Sequence, residues 1–131
     1  MNRLQYLITA KTQYDIQSPF LYDLYENVLA ARLDRATMKR EGLRRGDRTG
    51  LLKYKLADHY RAKEAEDNVL VRADGSHIVL VCRPHRNREA EEAWEKLFKE
   101  PEVTLSVDLF DVGLLFTDKR LSKQQLVFRV F

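Results

Sequence analysis

Apolar positions recur with two different periods along this chain of 131 residues. In the first half the spacing is helical. Leu4, Leu7 and Ile8 lay one apolar stripe on a helix over residues 3–13. Ser18-Pro19 predicts a second helix start: serine can cap orphan N–H groups, and proline at the first helical position has no N–H to lose. Phe20, Leu21, Leu24, Val28 and Leu29 then share one side of a helix running to about Leu33. Leu51, Leu52, Tyr54, Leu56 and Tyr60 predict another helix from about 50 to 63.

From residue 64 onward the pattern changes. Two β-branched runs, predicted as strands over 68–72 and 77–82, flank Ala73-Asp74-Gly75-Ser76, and an Asp-Gly pair in that setting signals a hairpin. Pro84 closes the second strand. Asn87 then caps a helix over 87–99 with Glu89, Glu91 and Glu92 near its positive end. Ala90, Ala93, Trp94, Leu97 and Phe98 make its apolar stripe, and Pro101 lies just past its end. A third strand is predicted over 103–116, bent or bulged at Gly113, and a fourth over 125–131. The turn from Lys119 to Lys123 would pair the last two as an antiparallel hairpin. The predicted fold is α+β, with N-terminal helices packed on a small mixed four-stranded sheet. It forms one domain, with a helical segment over 1–63 and a β-β-α-β-β segment over 64–131. A right-handed crossover through helix 87–99 makes the second and third strands parallel.

Length and composition narrow the function classes. A complete doubly wound nucleotide-binding domain needs on the order of 170 residues, more than the 131 present. The single cysteine, Cys82, excludes an internal disulfide framework and a cysteine-based zinc site. With no secretory pattern at Met1-Asn2-Arg3-Leu4 and no apolar run of membrane-spanning length, a cytoplasmic protein without membrane contact is expected. The net charge of +3 is unevenly spread. Residues 32–63 carry 11 basic and 4 acidic side chains, whereas residues 64–131 carry 10 basic and 13 acidic. Because Gly42, Gly46 and Gly50 punctuate this basic run, a solvated, mobile linker is favoured over a nucleic-acid footprint.

Individual residues suggest little catalysis. His59, His77 and His85 fall in different elements without metal-ligand spacing, which favours surface or satisfied structural roles. Cys82 has cationic neighbours that could activate a thiol, but a small apolar residue at a strand end is the favoured reading. Asp108 and Asp111 could pair as carboxylates, although Asp111 equally suits a turn. Trp94 reads as core. Tyr14, Tyr22, Tyr25, Tyr54 and Tyr60 cluster beside the basic segment, where base stacking competes with packing in an interface, and packing is favoured.

The phrase Gln17-Ser18-Pro19-Phe20-Leu21-Tyr22-Asp23-Leu24 resembles the N-terminal His-Ser-Pro-Phe-Val-Tyr-Asp-Leu signature of a bacterial group of class I S-adenosylmethionine-dependent methyltransferase-like proteins. Further likeness lies in the C-terminal part. His85 and Asn87 stand at the His and Ser positions of a strand-end motif, and Ala93-Trp94 match a helix motif. Val103 to Gly113 match a long strand, and Lys123 to Arg129 match the closing one. The resemblance covers about two thirds of the chain, at both ends. It implies that the last strand lies between the second and third, antiparallel to both, in the order 1-2-4-3. Such proteins hold their cofactor on a glycine-rich strand-to-helix turn. This chain has no such turn, its equivalents of the family's first four strands are missing, and Cys82-Arg83 replaces an Asp-Asp pair. No catalytic residue, cofactor or metal site is therefore assigned.

Two functions compete on this basis. The leading expectation is a non-catalytic methyltransferase-like remnant acting as a homodimeric interaction module, with Phe20, Tyr22, Tyr25 and Tyr54 as interface candidates. The alternative is a nucleic-acid-binding protein using Arg32, Arg35, Lys39, Arg40, Arg44, Arg45 and Arg48. A methyltransferase completed by a partner is a third reading.

Overall fold

A computed structural model describes residues 19–121 and 123–127. The helix expected over 3–13, the Ser18 cap, Tyr14 and the last strand beyond Val127 lie outside the described residues. Helix α1, Pro19–Leu24, runs into a π turn over Tyr25–Leu29. There the Ala30 N–H donates to the Tyr25 carbonyl, five residues back, at 2.8 Å. The helical run ends at Leu29, short of residue 33. Asp34 accepts from the Thr37 N–H at 2.7 Å and so starts helix α2, Arg35–Arg40. The basic stretch therefore contains a short helix seated by the buried Met38, in place of a linker throughout. Helix α3, Arg48–Tyr60, is capped by Asp47 and stops at Arg61, whose φ of 52° is left-handed.

The sheet has six strands, not four. They are β1 (Lys63–Glu66), β2 (Val69–Val71), β3 (His77–Cys82), β4 (Leu105–Asp108), β5 (Val112–Phe116) and β6 (Gln124–Val127). Helix α4, Arg88–Lys99, connects β3 to β4, and the Asn87 side chain caps it by accepting from the Ala90 N–H at 2.8 Å. The order is β1-β2-β3-β5-β4-β6, with β4 and β6 parallel and every other neighbouring pair antiparallel. The α+β class and the mixed sheet hold, but the order 1-2-4-3 does not.

Three local causes account for the difference. First, β1 is Lys-Glu-Ala-Glu and wholly exposed, so no apolar period marks it, and the preceding helix ends at Tyr60 instead of the expected 63. Its charges suit an edge that must discourage further pairing. Second, the run 103–116 reverses at Leu109-Phe110-Asp111. Phe110 has a φ of 71°, its N–H donates to the Asp108 carboxylate at 2.9 Å, and the Asp111 N–H donates to the Leu109 carbonyl at 2.9 Å. Gly113, expected at the bend, instead sits inside β5 under the Trp94 ring, where a Cβ would lie 2.5 Å from two ring carbons. Third, β5 is flanked by β3 and β4, so the final strand has no edge of β5 to join. Running back after β5, it meets the outer edge of β4 in parallel rather than closing a hairpin. The place between the second and third strands is thus filled by Val112–Phe116.

Alternation along the strands divides the core into two layers. Leu70, Ile78, Leu80, Leu105, Val107, Leu114 and Phe116 face α1 and α3, meeting Leu21, Leu24, Val28, Leu52 and Leu56. On the other face Trp94 of α4 packs with Val103 and Leu115, and Val79, Val81 and Phe98 flank them. The α4 stripe is only partly covered: Ala93 is exposed, and Leu97 is 37% exposed.

Candidate functional site

The crossover through α4 runs β3 and β4 in one direction, so their carboxyl ends meet at one end of the sheet. The loop after β3 is held there at two points. The Arg83 N–H donates to the Asp111 carbonyl at 2.9 Å, joining this loop to the β4–β5 turn. His85, with a side chain only 7% exposed, lies between two carboxylates. Its Nε2 is 2.5 Å from Asp108 Oδ2 and its Nδ1 is 3.3 Å from Glu91 Oε1 on α4. Its ring also stacks on Phe110, with centroids 5.5 Å apart. Burial alone would push the imidazole pKa down, but the hydrogen bond and charge of Asp108, with Glu91 adding to them, hold it above the ordinary histidine value.

This geometry limits the chemistry. An imidazole engaged by carboxylates at both nitrogens has neither nitrogen poised to take a proton from a substrate. His85 is therefore a tie between a loop, a strand and a helix, as a satisfied structural histidine would be. A cavity of about 280 Å³ opens beside it, lined by Glu91, Trp94, Glu95, Asp108 and Gln125. On the same sheet face the Ser106 Oγ is fully buried without a hydrogen-bond partner among the described residues. Among the described residues no group of three or more His, Cys, Asp or Glu is arranged to hold a metal ion.

The other singled-out residues divide between surface and core. Asp108 and Asp111 do not pair: Asp111 lies in the turn and bonds to Arg48. Trp94 is 2% exposed and belongs to the core. Cys82 is exposed at the end of β3, and His59 bonds to Asp23 at 2.9 Å. Among the interface candidates, Phe20 is used inside the molecule, stacked on Tyr60 at 5.8 Å and edge-on to Phe116 at 5.5 Å. Tyr25 and Tyr54 are half-buried, whereas Tyr22 is 50% exposed. Arg35, Lys39 and Arg40 lie on α2, Arg44 and Arg45 follow it, and Arg48 opens α3, all of them exposed. The fold brings Arg45 and Arg48 together with Arg32 and with Lys55, a residue that the linear pattern of basic residues did not single out.

A larger cavity, about 710 Å³, lies at the opposite end of the sheet. Its buried carboxylate, Asp118, is held at 2.8 Å by Arg120 and at 3.2 Å by Arg72. Hydrogen bonding from Arg120, set against the cost of burial, brings its pKa down to about 2. No helix among the described residues is long and apolar enough to cross a membrane. Comparison with protein-family models, with curated proteins and with solved structures gives no match for the chain.

Proposed function

We propose that the chain is a non-catalytic, methyltransferase-like remnant that works as a small homodimeric interaction module. The observation that carries this reading is the connection from β3 to α4. It is the one strand-to-helix connection among the described residues, and it holds no glycine between Cys82 and Asn87. A cofactor cradle of the resembled kind needs backbone N–H groups to approach the ligand closely at such a turn. Here the loop side chains close the space instead, with Pro84 buried and His85 tied to Asp108. The antiparallel centre of the sheet supports the same reading, since nucleotide-type sites form at parallel strand ends.

Isothermal titration against S-adenosylmethionine tests the first half of the proposal. No saturable heat is expected, and micromolar binding would overturn it. Light scattering tests the second half. A mass of twice 15.4 kDa is expected, and a monomer would overturn it.

Nucleic-acid binding is retained as a second reading, because Arg35, Lys39, Arg40, Arg44 and Arg45 are exposed on one short stretch of the fold. It predicts an affinity for single-stranded RNA or DNA that falls steeply as salt rises. A flat or absent response would reject it.

A further inference from the structure

We propose that the cleft between the segment after α1 and the start of α3 is a binding site for a phosphoryl group. The cleft has a volume of about 220 Å³. Arg32, Arg45, Arg48 and Lys55 line it together with Leu33 and Met38, and among the described residues no carboxylate lies in its wall. Arg48 is already engaged, since its guanidinium bonds to Asp111. Arg32 and Arg45 make no ion pair among the described residues. Lys55 is placed differently, because its stem is half-buried and its Nζ donates to the Ala31 carbonyl at 3.0 Å. An ammonium has three N–H donors, so this bond orients the group and leaves donors for a ligand. Burial lowers the Lys55 pKa, which a bound anion would reverse.

Three cations around one small concavity repel each other when it is empty. A dianionic phosphoryl group relieves that repulsion more fully than a singly charged carboxylate, and guanidinium forks match its oxygens in geometry. The apolar side formed by Leu33, Met38 and Leu51 suits a few carbons attached to the ester oxygen. Cavities that enclose drug-sized ligands run from about 300 Å³ upward, so the cleft suits a phosphoryl group and its first substituent rather than a whole dinucleotide.

The phosphate could come from a small ester or from the end of a nucleic-acid strand. The second source would rest on the nucleic-acid reading, whereas the first is independent of it. Calorimetric titrations with phenyl phosphate, and with one single-stranded oligonucleotide bearing a 5′-phosphate or a 5′-hydroxyl, separate the two. The variants are Arg45→Gln, inside the cleft, and Lys96→Gln, exposed on α4 far from it. If a small ester is the source, phenyl phosphate binds saturably. Arg45→Gln then weakens it at least about tenfold, while Lys96→Gln leaves it within about twofold. If a strand end is the source, only the 5′-phosphorylated oligonucleotide shows that contrast. The proposal is overturned if no phosphate probe binds, or if both variants weaken binding equally, which would mean diffuse charge instead of a site. Loss of all oligonucleotide binding with phenyl phosphate retained would reject the nucleic-acid reading alone.

Discussion

His85 stands between Asp108 and Glu91, and the direction of its pKa displacement fixes how stability responds to pH. The folded value is raised above 6.5. The protonated ring therefore stabilises the fold fully below that ordinary value, and the contribution is lost as pH rises through the folded one. Urea midpoints measured from pH 6 to pH 9 should fall in the wild type. His85→Gln should lose about 1–3 kcal/mol at pH 6 and flatten most of the slope; an unchanged slope would show that another group titrates. Gly113 is a second residue whose neighbourhood decides its identity. A Cβ there would lie 2.5 Å from the Trp94 ring, which is itself buried. Gly113→Ala should cost about 1–3 kcal/mol by overpacking. Pairing it with Trp94→Leu should recover part of that loss, giving a favourable coupling energy in a double-mutant cycle.

Among the elements, α3 ends on an arginine in a conformation that glycine adopts without strain. Arg61 has a φ of 52°, and its N–H donates to the Ala57 carbonyl as the helix closes. Arg61→Gly should relieve about 1–2 kcal/mol of left-handed strain, offset by about 0.5–1 kcal/mol of extra freedom in the unfolded chain. A net gain of up to about 1 kcal/mol in chemical denaturation is expected. Such features show which elements can be read in advance. Helix α4 was legible because its apolar period, its Asn87 cap and Pro101 beyond it all agree. The β4–β5 reversal was not, since an aromatic residue takes the left-handed position inside a continuous apolar run. Strand β6 could not be placed because its partner is set by which sheet edges remain, a non-local matter. The site followed the same division. The sign of the basic stretch is plain in the sequence, but the His85 cluster joins residues 6 and 23 positions apart on separate elements.

At the scale of the whole molecule, charge is segregated. The basic excess lies on α2, α3 and their connection, whereas the sheet and α4 carry the acidic excess. Charge of opposite sign on two regions of one chain favours contact between copies, and it also lets added salt weaken that contact. The proposed dimer needs an apolar centre as well. Tyr22, 50% exposed on α1, is the clearest anchor left after Phe20 and Tyr60 are used internally. Tyrosine suits that position, combining a large ring with a hydroxyl at its rim. If pairing stabilises the folded chain, its stability depends on concentration. A hundredfold rise in chain concentration adds about 2.7 kcal/mol to the dimer, and the thermal midpoint rises with it. Tyr22→Asp should remove that dependence while changing the isolated chain by no more than about 0.5 kcal/mol, as an exposed substitution does. A wild-type midpoint that stays constant across the same range would mean that each chain folds alone, and that Tyr22 serves some other contact.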